Sequence, residues 1–109
     1  MPLFRNYNED DAIKQINSIN KEMRAINAQL HLAGGDVAAA NREVIIKHLQ
    51  AIVRYGEKYD KIKKSFSSMD YTLFLGATVD AWNGEQVGVF TWEIYFKRTI
   101  DYLFHELNL

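Results

Sequence analysis

The stretch from Tyr71 to Phe96, YTLFLGATVDAWNGEQVGVFTWEIYF, decides the fold class, and it admits two readings. Read as helix, Ser67-Ser68-Met69-Asp70 is a capping box in front of it, with Phe66 and Tyr71 as the hydrophobic staple. Gly84 then ends one helix before another runs to the C-terminus, and the chain is an all-α four-helix bundle. Read as strand, Asn83-Gly84 is the two-residue loop of a type I′ hairpin, the strongest short-range hairpin signal. Pairing outward from that turn matches Ala81 with Gln86, Val79 with Gly88, Ala77 with Phe90, Leu75 with Trp92, Leu73 with Ile94 and Tyr71 with Phe96, a nearly apolar face. The opposite face carries Trp82 with Glu85, Asp80 with Val87, Thr78 with Val89, Gly76 with Thr91, Phe74 with Glu93 and Thr72 with Tyr95, and it is mixed. A slip of one residue scrambles both faces. The enrichment in β-branched and aromatic residues, and two glycines that weaken a helix, make the hairpin the preferred reading.

Upstream, Ala12, Ile16, Ile19, Met23, Ile26, Leu30 and Ala33 step by four and three, so they form one stripe of a helix over about residues 9–33. Asn8 or Asp10 can cap its start, and Gly34 can take the left-handed conformation that ends it. After Asp36, a second capping residue, a matching seam follows: Ile45, His48, Ile52, Tyr55, Tyr59, Ile62 and Phe66. Two seams joined by Gly34-Gly35 predict an antiparallel helical hairpin with coiled-coil-like pairing, each helix roughly 35–45 Å long at about 1.5 Å per residue. Val44, Ile46, Leu49 and Val53 lie outside the second seam and require cover from the C-terminal third. Gly56 suggests a bend or interruption.

Downstream, Thr99, Ile100, Leu103, Phe104 and Leu107 have helical spacing and predict a short closing helix. The expected fold is therefore α+β: a long antiparallel helical hairpin, a β-hairpin packed on it and a short C-terminal helix. A lone two-stranded sheet is marginally stable, so its apolar face must lie on the helices, with both edges left open.

Composition narrows the function classes. With 109 residues, 48% of them hydrophobic, and neither internal repeats nor a linker, the chain forms a single domain, residues 1–109. It has no cysteine, so no disulfide staples it. Thirteen basic and fourteen acidic side chains leave a net charge of -1, which does not draw a nucleic acid backbone to the molecule as a whole. Its apolar runs, such as Val44-Ile45-Ile46, fall far short of the ~20 residues of a membrane helix. The opening from Met1 to Asp11 turns polar too early for a secretory signal, so cytoplasmic residence is the expectation.

The three histidines, His31, His48 and His105, have neither a neighbouring cysteine nor the spacing of a metal motif, and no cofactor, metal or catalytic arrangement is implied. His48 lies in the second seam and reads as a satisfied core histidine or a pH-sensitive packing residue. Two surfaces are candidates for binding. On the mixed sheet face, Phe74, Trp82, Val87, Val89 and Tyr95 offer more apolar area than a solvated face needs, which points to contact with another chain or, equally, to partial cover by the closing helix. On the second helix, Arg54, Lys58 and Lys61 lie one turn apart, with Lys63 and Lys64 close by and Tyr55 or Tyr59 available for stacking, a pattern that could hold an anion. Glu57 and Asp60 dilute it, and a solvated helix face, with Lys and Arg favourably near the helix C-terminus, is the preferred reading. The leading expectation is a non-catalytic protein acting by stoichiometric protein–protein contact, of inhibitor, immunity or adaptor type, as a homodimer or higher oligomer. The second is an oligomeric protein that binds or sequesters an anionic small molecule such as a nucleotide.

Overall fold

Apolar steps of three and four in the first third produce helix α1 (Tyr7–Leu32), whose seam residues Ala12, Ile16, Ile19, Met23 and Ile26 are completely buried. The computed structural model describes residues 7–109, and of Tyr7 the backbone alone. The helix closes in a Schellman motif: the Gly35 N–H donates to Leu30 O at 2.7 Å and the Gly34 N–H to His31 O at 3.1 Å, with Gly34 at φ +68°. Glycine reaches that left-handed region without steric cost, which is why it stands there. Asn8 and Asp10 lie inside the helix rather than at its cap. The Asn8 amide donates to Ser65 Oγ at 2.7 Å.

Asp36 caps a single 3-10 turn, Val37–Ala39, by accepting from the Ala38 N–H. Helix α2 (Arg42–Lys64) starts later than Asp36 suggests, where the Asn41 side chain accepts from the Val44 N–H at 3.3 Å. It runs unbroken through Gly56, so no interruption occurs there. The link from Asn8 to Ser65 joins the start of α1 to the end of α2, as an antiparallel hairpin requires.

The deciding stretch combines both readings. Ser67 accepts from the Asp70 N–H at 3.1 Å and opens a short helix, α3 (Ser68–Leu75), which ends at Gly76 rather than Gly84. A hairpin of two three-residue strands follows, β1 (Thr78–Asp80) and β2 (Gln86–Gly88). Its register pairs Thr78 with Gly88, Val79 with Val87 and Asp80 with Gln86, one residue away from the register that a two-residue turn dictates. The reason is at the tip. A type I′ turn needs positive φ at both central residues, but Gly84 at φ +87° is the only one here, and Asn83 keeps negative φ. The loop therefore has three residues, Trp82-Asn83-Gly84, closed by the Ala81 N–H on Glu85 O at 2.8 Å and the Gly84 N–H on Ala81 O at 3.0 Å. Asn83 Oδ1 accepts from the Glu85 N–H instead of supporting a left-handed backbone. The slip turns Val79 and Val87 together toward the core.

The closing helix is much longer than the tail spacing implied. Helix α4 (Val89–Glu106) begins directly after β2, and Val89, Trp92, Leu103 and Leu107 mark its buried side. The outer pairings of the long hairpin, from Tyr71–Phe96 to Ala77–Phe90, are therefore not formed. The architecture is α+β: a long helical hairpin, a small β-hairpin and a C-terminal helix, with α3 as an added turn. Its extents are 51 × 24 × 20 Å. Helix α4 runs antiparallel to α2, since Arg42 Nη1 donates to Leu107 O at 2.6 Å at one end and Lys63 meets Glu93 at the other.

Aromatic rings join the parts. Phe66 meets Phe74 edge-on at 5.2 Å between centroids, Tyr59 lies 6.2 Å from Phe74 and 5.8 Å from Trp92, and Trp92 stacks on Phe96 at 5.0 Å. One polar residue is fully buried among these apolar groups. Asn20, on α1, accepts from Trp92 Nε1–H at 2.8 Å and donates to Asp80 O at 2.5 Å. Replacing Asn20 with alanine leaves the buried Trp92 donor and the part-buried Asp80 acceptor without their partner, so stability should fall by about 2–3 kcal/mol in urea unfolding. Gly56→Ala should do the reverse: a Cβ there meets no atom within 4 Å, and removing a helix glycine gains about 0.5–1 kcal/mol.

Candidate functional site

The end of α2 and the start of α4 meet at a polar junction. Lys63 follows Tyr59 by one helical turn, and Glu93 lies in the first turns of α4, so the antiparallel packing brings their side chains together. Lys63 Nζ donates to Glu93 Oε2 at 2.6 Å and to Oε1 at 3.0 Å, with both side chains about four-fifths buried. The ammonium also sits 5.0 Å from the Tyr59 ring centroid and 5.3 Å from that of Tyr71, within cation–π range. The Tyr59 hydroxyl donates to Glu93 Oε2 over a long 3.4 Å. Burial, and then the negative charge of Glu93, push the Tyr59 hydroxyl well above the ordinary tyrosine range.

Two cavities flank this pair. One of about 370 Å³ opens between α2 and α4, lined by Gly56, Tyr59, Phe96 and Ile100 among others, and one of about 290 Å³ is bounded by Asp60, Lys63, Lys64 and Tyr71. Lys63 is thus spent on Glu93 and two rings, and it does not join a free basic cluster. Arg54, Lys58 and Lys61 are all exposed on the other side of α2, and neither cavity includes them. Lys58 Nζ lies 5.9 Å from the Tyr55 ring centroid, so that ring is covered by its own neighbour. The anion pattern is a convex helix face.

His48 bonds through Nδ1 to Glu22 Oε2 at 2.5 Å, a satisfied histidine between α1 and α2. His31 and His105 are exposed. Among the described residues, no group of three or more His, Cys, Asp or Glu side chains is placed to hold a metal ion.

The proposed sheet face does not exist as one surface. Phe74 and Val89 are buried in the core, at 1% and 0% exposure, because they belong to α3 and α4 and not to strands. Trp82 and Val87 are half-buried against the core. Only Tyr95 is exposed, and it belongs to a different surface. At 100° per residue, Phe90 and Ile94 fall on the side of α4 turned away from Trp92 and Leu103, while Tyr95 and Tyr102 lie on its flank, about 60–100° from those two. Their exposures are 58%, 37%, 43% and 51%. Helix α3, which packs against α4, exposes Met69 and Leu73, at 73% and 68%. The hairpin reading hid this face because it placed Leu73, Phe90 and Ile94 inward; the helical spacing of Phe90 and Ile94, one turn apart, was the signal available.

The Tyr59 environment has a measurable consequence. Its folded-state pKa lies above its unfolded one, so its contribution to stability is complete below about pH 10 and is lost as pH rises beyond that. Tyr59→Phe should flatten the fall in urea midpoint between about pH 9 and 11; an unchanged slope would contradict the assignment. Comparison of the chain with family models, with curated proteins and with solved structures finds no match.

Proposed function

We propose that this protein acts without catalysis, by stoichiometric contact with a protein partner, through the outward face of α4 and the adjoining side of α3. The observation that carries the reading is that α4 exposes large apolar and aromatic residues beyond those its own core uses. Val89, Trp92, Phe96, Leu103 and Leu107 already supply the stripe that its own core needs. Phe90, Ile94, Tyr95 and Tyr102 are left in solvent, and tyrosine and phenylalanine are the residue types that anchor protein interfaces. Inhibitor, immunity and adaptor roles share this mode of action. An anionic ligand finds less: three exposed cations on a convex face, with the best-placed fourth, Lys63, already paired.

The test uses the full chain as bait in extract of its source organism, beside the double variant Phe90→Ser/Ile94→Ser. Both positions are exposed, so the variant should keep the wild-type circular dichroism spectrum and unfold within about 0.5 kcal/mol of it. A partner retained in fixed ratio by the wild type should be lost from the variant. Retention that survives both substitutions would move the contact surface elsewhere.

A further inference from the structure

The exposed stripe of α4 is complementary to itself when reversed. Phe90, Ile94, Arg98, Asp101 and His105 lie within one narrow sector of the helix, opposite Trp92 and Leu103, and all five are exposed. Among the described residues, neither Arg98 nor Asp101 takes part in a salt bridge. From its start, the stripe therefore reads apolar, apolar, cation, anion, histidine, with its two fixed charges cancelling.

We propose that a second copy of this chain covers this stripe, with α4 packed antiparallel on α4 about a two-fold axis. The proposal rests on the contact reading above and names its partner. Antiparallel pairing sets Arg98 of each copy opposite Asp101 of the other, and symmetry makes that contact twice. In-register parallel pairing sets Arg98 against Arg98 and Asp101 against Asp101, which repels at both levels. The antiparallel register also brings Ile94 of one copy to the level of His105 of the other. Tyr95 and Tyr102, side by side along one edge of the stripe, meet across the seam, Tyr95 of one copy beside Tyr102 of the other. The two helix dipoles then oppose head to tail. A partner of strong net charge gains nothing from a stripe whose charges sum to zero, whereas a second copy supplies each charge with its opposite. Helix α4 has 18 residues and spans about 27 Å, so the interface is at the small end of specific contacts and the dimer should dissociate in the micromolar range, about 1–100 μM.

Sedimentation equilibrium of the full chain over a concentration series tests this with charge swaps. The wild type should fit a monomer–dimer equilibrium. Arg98→Asp and Asp101→Arg should each weaken the dimer about tenfold, because each sets like charges together at two symmetric places. The double variant Arg98→Asp/Asp101→Arg should return to within about threefold of wild type. Both residues are exposed, and circular dichroism should show the same helix content in all four proteins. A wild type that stays monomeric at the highest concentration, single swaps without effect, or a double swap no better than the singles would each overturn the self-pairing. The wider reading is decided separately: a monomeric wild type whose partner capture depends on Phe90 and Ile94 keeps the contact surface and gives it a different occupant.

Discussion

The Asn20 carboxamide is the constraint on which the C-terminal third depends. Apolar burial is not directional: it would accept α4 at several rotations against the helical hairpin. A buried amide is directional, and this one holds two elements at once, the indole N–H of Trp92 from α4 and the carbonyl of Asp80 from β1. Rotating α4 by one residue, 100°, would withdraw the indole from its acceptor and leave both groups unpaired in an apolar surrounding. With Trp92 fixed, Phe96 stacks on it and Tyr59 meets it edge-on, so the rotation of the whole helix is set. The outward side of α4 is a consequence of that same hydrogen bond.

The ends of α4 are held by polar contacts of another kind. At its start Glu93 takes both bonds from Lys63, and at its end the Leu107 carbonyl takes one from Arg42. A partly buried ion pair contributes little net stability, because desolvation offsets most of the attraction. Its effect here is positional: the two clamps fix the direction and the height of α4 along α2, while the aromatic contacts supply the burial. They also account for the cleft beside Gly56, since Tyr59 and Phe96 keep the two helices apart there.

The helical hairpin was legible because its signal is local and redundant. Five buried residues of α1 follow one period, and Gly34 stands where the backbone needs a positive φ. Asn20 was not legible in the same way, although it lies one turn from both Ile16 and Met23, on their side of the helix. Its polarity argued for solvent, and its two partners are remote in sequence. The stretch 71–96 failed for a physical reason as well. Its Val, Phe, Trp and Tyr are the residues that strands favour, but strand preference mostly measures fit to a packed surface, and helices α3 and α4 pack those same rings against α2. The capping box at Ser67 and the turn at Gly84 were both real signals. Each was read as governing the whole stretch, when each governs only a few residues. The candidate partner residues followed that error: Phe74 and Val89 moved into the core, and the apolar surplus reappeared on the far side of α4.

The Asn20 bridge spans a long stretch of chain, 60 residues to Asp80 and 72 to Trp92. During synthesis, α1 and α2 can pair once residue 64 has been made, since both helices are then complete. Asn20 then waits on the surface of that hairpin with its amide in water until Trp92 arrives, and with it an open apolar seam. At 5–20 residues per second, the stretch from residue 64 to Trp92 takes about 1.4–5.6 s. For those seconds the nascent chain is a finished helical hairpin with one uncovered side, and a single asparagine keeps that side from being entirely greasy.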